Sequence, residues 1–286
     1  MVFIHSNNEV CLLSYKNNKL NILKNSKLFF DLKITSVSHS NKMNKIYACL
    51  SYEKKIKIFD YNIKEESLTL NNDQIIGDEY FYKCVPLCNN DIVTSYEKSI
   101  CIWSKNNSNS KKYIIKYKIN SNSLIFDLLL VKDRYIIFSR KDNLKFLNNS
   151  NFVFIKKISN IEPINSNNGL LSIKDYIIIN CCGGIAIVSI NTKELIQYIN
   201  YNISNKVLCR INDDNICMLI INYNYNVTAV KMKFFEGEFI ETDEIIALDQ
   251  NFQPNIHTKD VRLCFINQRK IIIMGKNLYS LQESNC

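Results

Sequence analysis

Hydrophobic positions along this chain come in short runs of about five to eight residues, rich in Ile, Val, Phe and Tyr and bounded by clusters of Asn, Asp, Ser and Lys. That is the signature of β-strands, and no stretch carries the three-to-four-residue spacing of a long helix. Many runs come in pairs separated by a few polar residues, as in KIYACLSYEKKIKIFDY, DIVTSYEKSICIWS, RYIIFSRKDNLKFL, DYIIINCCGGIAIVSI and RKIIIMGKNLYSL. Each pair reads as a β-hairpin.

Aligning the pairs exposes an internal period. Their second strands end near Leu23, Phe59, Trp103, Leu147, Val188, Val230 and Leu281, in steps of 36 to 51 residues. That is the length of one four-stranded propeller blade. The clearest copies are SYEKKIKIF at 51–59 and SYEKSICIW at 95–103, and SRKDNLKFL at 139–147 keeps the Ser and the alternation. The blades so defined span 1–32, 33–71, 80–119, 124–158, 169–199, 206–244 and 260–286. The expectation is an all-β, seven-bladed propeller forming one domain over residues 1–286. The first blade begins with its inner strand, because VFIHSNNEVCLLSY parallels VSHSNKMNKIYACLSY. The last has room for three strands, VRLCFIN, RKIIIMG and NLYSL.

On these residues the chain resembles the WD-repeat family, whose blade has a strand ending in Ser or Thr, a tight polar turn, then an alternating strand closed by Trp-Asp. Trp103 stands at the Trp position with Ser104 following, and Phe59-Asp60 is the nearest complete dipeptide. The family's Gly-His pair is missing, so its Asp-His-Ser-Trp bracing network is not expected here. The resemblance implies a degenerate propeller that displays loops as a non-catalytic scaffold for protein complexes. Ribosome assembly and RNA processing are among the settings the family serves. The alternative reading is RNA or ribonucleoprotein binding.

Composition changes this picture little. Of 286 residues, 47% are hydrophobic, enough for a core, and asparagine supplies about one residue in seven while Gly numbers 6 and Pro 3. An AT-rich coding sequence produces that bias without any chemical purpose. The net charge of +9 favours anionic partners modestly. The eleven cysteines lie mostly inside apolar runs, among them Cys11, Cys49, Cys101, Cys209, Cys217 and Cys264, and the count is odd. Free cysteines of that kind fit a reducing compartment, cytosol or nucleus. No apolar run reaches the roughly 18 residues of a membrane span, so no membrane insertion is expected. The oligomeric state is left open.

Candidate chemistry is sparse. His5, His39 and His257 are isolated, Cys84 and Cys88 flanking Pro86 lack a second pair, and no phosphate loop, metalloprotease or nucleophile-elbow motif occurs. No enzymatic activity, cofactor or metal is expected. Cys181-Cys182-Gly183-Gly184 reads as a tight turn relying on glycine at positive φ. One surface pattern stands out. In a WD-type blade the turn between second and third strands opens on the top face, and here those turns carry Lys16, Lys19, Lys54, Lys55, Lys98, Arg140, Lys141 and Lys276. Glu53, Glu97 and Asp142 partly offset them, and no aromatics interleave with them in sequence. A second candidate is the edge of the last blade at Asn277, Leu278, Tyr279, Ser280 and Leu281, which would accept a partner's strand unless Val2–His5 closes the ring there.

Overall fold

The computed structural model of the chain describes, with their side chains, residues 34–40, 42–50, 53–62, 64–65, 67–106, 112–163 and 169–200, together with 232, 233, 238 and 240. For the strands outside those ranges it describes path and pairing. Two compact units divide the chain, Met1–Ile136 and Ile137–Cys286.

The short apolar runs form antiparallel sheets, each from strands consecutive in sequence. The first holds β1 (Val2–His5), β2 (Glu9–Lys16) and β3 (Lys19–Ile22), with β4 (Leu28–Phe29) pairing to β2. Next come β5 (Ile34–Ser40), β6 (Lys45–Leu50), β7 (Lys55–Asn62) and β8 (Ser67–Ile76). Then follow β9 (Lys83–Pro86), β10 (Ile92–Ser95), β11 (Ser99–Lys105) and β12 (Tyr113–Asn120). A further sheet joins β13 (Ile125–Val131), β14 (Tyr135–Arg140), β15 (Asn143–Asn148) and β16 (Phe154–Ser159). After it stand β17 (Leu170–Ile173), β18 (Tyr176–Cys181), β19 (Gly184–Ser189) and β20 (Leu195–Asn200). The chain continues with β21 (Lys206–Arg210), β22 (Asn215–Ile221), β23 (Val227–Phe235) and β24 (Glu238–Ile246), then β25 (Arg262–Asn267), β26 (Lys270–Met274) and β27 (Tyr279–Glu283).

Burial grades across the sheets whose side chains are described. Second and third strands such as β10 and β19 are buried at every residue, which requires cover on both faces and fits their mostly apolar sequences, with Thr94, Ser95 and Ser189 as buried polar members. Fourth strands are the reverse: β12, β16 and β20 are exposed along most of their length. Inside the first unit, Tyr47, Ile56, Ile58 and Ile75 of the β5–β8 sheet pack with Cys84, Ile92, Cys101 and Trp103 of the next. The other face of the β5–β8 sheet buries Ile34, Ile46, Ala48, Leu50 and Phe59.

The third and fourth strands are joined by a recurring irregularity. Register slips at Ile102/Trp103, where Lys116 is passed over, at Phe146/Leu147, where Ile155 is, and at Ile187/Val188, where Ile196 is. Comparable shifts occur at Lys57/Phe59 and Val230/Met232. All fall at or beside the residues that the period aligns, Phe59, Trp103, Leu147, Val188 and Val230. An extra residue on one strand bends it and strengthens its local twist, which turns the exposed outer edge away from flat pairing.

One sequence expectation needs correction. Neither Gly183 nor Gly184 has a positive φ. The turn is a two-residue connection from Cys181 to its partner Gly184, and Gly184 is needed for closeness: a Cβ there would collide with the Ile199 carbonyl oxygen and lie 2.8 Å from Tyr198 Cε1. With so few glycines, left-handed turn positions fall to other residues, including Asn44, Lys54 and Asn90. Val2–His5, the alternative closing strand, pairs residue by residue with Val10–Leu13 of β2.

Candidate interaction surfaces

The hairpin between second and third strands sets where the sequence-predicted cations stand. Lys16 and Lys19 are paired across the β2–β3 turn. Leu50 pairs with Lys55, so Lys54 lies in the preceding turn, exposed and at φ 52°. Tyr96 N–H donates to Ser99 O at 2.8 Å, closing a two-residue turn of Glu97 and Lys98. Arg140 ends β14 and the exposed Lys141 opens the turn to β15. Lys276, Asn277 and Leu278 lie outside the described residues, whereas Tyr279, Ser280 and Leu281 begin β27, paired to Met274, Ile273 and Ile272.

The loop from Gly77 to Tyr82 is tied to these turns. Gly77 N–H donates to Lys54 O and Tyr82 N–H to Ser95 O, each at 2.9 Å. Gly77 is constrained by closeness, since a Cβ would strike Tyr96 Oη and lie 2.7 Å from Phe81 Cζ. The loop carries two half-exposed rings, Tyr80 and Tyr82, and Lys54 Nζ sits 5.6 Å from the Tyr80 ring centroid. An aromatic therefore does stand beside a turn lysine; sequence reading missed it because the two are 26 residues apart. The loop also brings carboxylates. Glu79 pairs with Lys118 at 3.3 Å, and burial with the nearby Glu97 pushes the Tyr82 phenol up. Among the described residues of these turns and this loop, the cations Lys54, Lys55, Lys98 and Lys118 are matched in number by Glu53, Asp78, Glu79 and Glu97.

The opposite end of the same two sheets holds a linked ion cluster. Asp73 Oδ2 accepts from Lys105 Nζ at 2.6 Å and from Lys45 Nζ at 3.4 Å, and Lys45 lies 3.9 Å from Asp60. Burial, reinforced by Asp73 and Asp91, pushes the Tyr113 phenol up to about 12. Beside the cluster, Asp60, Tyr61, Lys64 and Glu65 line an open pocket of about 520 Å³. Between the first strands of neighbouring sheets, Lys83 and the buried Asp127 form an ion pair. Leu128 N–H also donates to that carboxylate, at 2.7 Å.

The expected loss of the bracing network is only partly right. Trp103 Nε1 donates to Thr94 Oγ1 at 2.9 Å, so the Trp-hydroxyl end survives. Phe81 lies beside the indole at 6.0 Å between ring centroids and stacks on Tyr96 at 5.0 Å, replacing further hydrogen bonding with packing. His39 is an exposed residue of β5, His5 belongs to β1, and His257 falls outside the described residues. Cys84 is buried and 3.2 Å from Ser38 Oγ, while Cys88 is exposed. The two thiols do not converge.

No family model and no curated protein matches the chain. Solved structures do, at low identity. A chain of the mitotic checkpoint complex is 8% identical with a TM-score of 0.70, over 97% of this chain and 82% of that one. Sqt1 of Saccharomyces cerevisiae is 12% identical with a TM-score of 0.62, over 98% and 91%. A candidate 6-phosphogluconolactonase of Bacteroides uniformis is 10% identical with a TM-score of 0.69, over 96% and 88%. The fold is that of a β-propeller. The last likeness corrects the expectation of a non-catalytic chain: the same architecture is found in a protein described as an enzyme, so motif-free sequence does not exclude catalysis.

Proposed function

We propose that the chain is a protein-interaction scaffold, one seven-bladed propeller over residues 1–286 that works in a multiprotein or ribonucleoprotein complex of the cytoplasm or nucleus. The observation that carries this reading is the apolar outer strands. Ile114, Ile115 and Tyr117 on β12, and Leu195, Ile196 and Tyr198 on β20, are 38 to 49% exposed. Single exposed apolar residues need no explanation, but several gathered on one outer strand are what an interaction surface would use. The likeness to a chain of a checkpoint complex supports the same reading. Among the described residues, no helix is long and apolar enough to cross a membrane.

The test is affinity purification from the native cell with the wild-type chain and with Ile115→Ser/Tyr117→Ser. Co-purifying proteins that the variant loses while it melts normally support a scaffold. A chain recovered alone from gentle extracts sinks it. The last strand is a further candidate contact, since β27 stands third and last in its sheet order among the described residues. Strand addition there predicts fast hydrogen exchange at Tyr279, Ser280 and Leu281 that slows in native extract.

The RNA reading draws on Lys54 above the exposed Tyr80, a cation and a stacking face together. Substituting Lys54, Lys55, Arg140 and Lys141 by Ser tests it. Loss of bulk RNA binding, with an affinity that falls steeply with salt in the wild type, supports it; unchanged binding at low salt refutes it.

A further inference from the structure

In the β13–β16 sheet, two lysines stand opposite each other. Lys145 on β15 pairs directly with Lys157 on β16, and like charges at paired positions repel. The equivalent pairs in three other sheets are Lys57 with Gln74, Cys101 with Lys118 and Ala186 with Tyr198, each with one cation at most. Only this one of the four sets two cations against each other.

Their surroundings deepen the imbalance. Lys145 Nζ lies 6.0 Å from the Phe138 ring centroid and 5.6 Å from that of Phe154, so two aromatic faces hold the ammonium in place. Burial, then the fields of Arg140 and Lys157, push the Lys145 pKa down, with Asp142 opposing. Residues 140–157 contain Arg140, Lys141, Lys145, Lys156 and Lys157 against the single carboxylate of Asp142. That carboxylate already accepts from the Asn143 side-chain amide. Immediately before the last two lysines, Val153, Phe154 and Ile155 are 57, 51 and 37% exposed.

We propose that this sheet carries a site for a compact polyphosphate group, with Arg140, Lys145 and Lys157 as its cationic ligands and Val153, Phe154 and Ile155 as an apolar shoulder. A ligand bearing several negative oxygens close together relieves the Lys145–Lys157 repulsion, which one carboxylate would only half offset. The same chemistry occurs on a free inositol polyphosphate and on a phosphorylated lipid headgroup, and the apolar shoulder distinguishes them. This inference is independent of the scaffold reading.

The test is calorimetric titration of the intact chain with inositol hexakisphosphate. Lys145→Gln/Lys157→Gln is expected to weaken binding by about tenfold or more, while Lys132→Gln/Lys174→Gln, an equal charge loss placed in two turns elsewhere, leaves it unchanged. Lys157→Glu, which sets an opposite charge against Lys145, is expected to melt above the wild type without ligand and to lose the ligand's upward shift in melting temperature. No binding, equal loss in both double variants, or full binding by Lys145→Gln/Lys157→Gln would overturn the proposal. A second arm uses phosphatidylcholine vesicles with and without phosphatidylinositol bisphosphate. Phe154→Ser weakening the vesicle contact alone assigns the phosphates to a membrane headgroup, and Phe154→Ser leaving both contacts intact assigns them to a soluble ligand. Tighter binding to polyuridylate than to inositol hexakisphosphate, lost in Phe154→Ser, would make the patch a nucleic-acid surface and also overturn it.

Discussion

Trp103 Nε1 donates to Thr94 Oγ1 at 2.9 Å, both buried, across two neighbouring strands of one sheet. The bond fixes the indole where it also meets Phe81. Trp103→Phe keeps an aromatic ring but leaves the Thr94 hydroxyl buried without that donor, a loss of about 1–3 kcal/mol. Trp103→Ala removes the packing as well and is expected to cost about 3–5 kcal/mol. Urea unfolding of the two variants checks the order. A Trp103→Phe protein as stable as the wild type would mean that the hydrogen bond contributes nothing.

The two close-approach glycines should respond differently to Ala. At Gly184 the obstacle is the backbone carbonyl of Ile199, whereas at Gly77 it is the tips of the Tyr96 and Phe81 rings. Overpacking costs about 1–3 kcal/mol where side chains can shift, so Gly77→Ala should fall in that range and Gly184→Ala above it. Thermal melts of both variants give the comparison, and a Gly184→Ala protein as stable as the wild type would contradict the β19–β20 register.

Lys83 and Asp127 test the junction of two first strands. The Asp127 side chain is 2% exposed, so Lys83→Met strands a buried carboxylate and is expected to cost about 3–5 kcal/mol. Replacing both, as Lys83→Met/Asp127→Leu, should restore much of that loss. A double-mutant cycle with no coupling between the two positions would show that the pair is solvated.

Alkaline pH should destabilise the fold. Burial pushes the Cys101 thiol from 9.0 up to about 11 and the Tyr113 phenol from 10.0 up to about 12, and Tyr47 and Tyr96 move in the same direction. Unfolded, these groups lose their protons first, so the native state binds more protons above pH 9 and stability falls as pH rises. Below pH 9 this contribution is fully present. Melting midpoints should therefore stay level up to about pH 9 and decline toward pH 11, with Cys101→Ala softening the first part of the decline. An identical decline in Cys101→Ala would remove that thiol from the account.

Strand positions were legible in the sequence because burial on both faces favours consecutive apolar residues, as in YIIF of β14, YIII of β18 and IAIV of β19. What depends on pairing across strands was not. Ile114, Ile115 and Tyr117 are exposed on β12, yet as residue types they carry no mark that separates them from core residues. Nor does sequence show Tyr80 beneath Lys54, a contact made by a loop folding back over a turn. The Lys145–Lys157 pair was hidden for the same reason, because each lysine alone looks like an ordinary polar alternation.

The recurring bulge has a consequence for how these sheets come apart. Where one outer-strand residue is passed over, the ladder from β11 to β12, or from β15 to β16, is interrupted midway. Fraying that begins at the exposed strand meets a break before it reaches the third strand's core residues, so the outer strand opens as its own small unit. Substitutions accumulating there are felt locally, and the exposed outer strand is free to change its residues while the two buried middle strands hold the sheet.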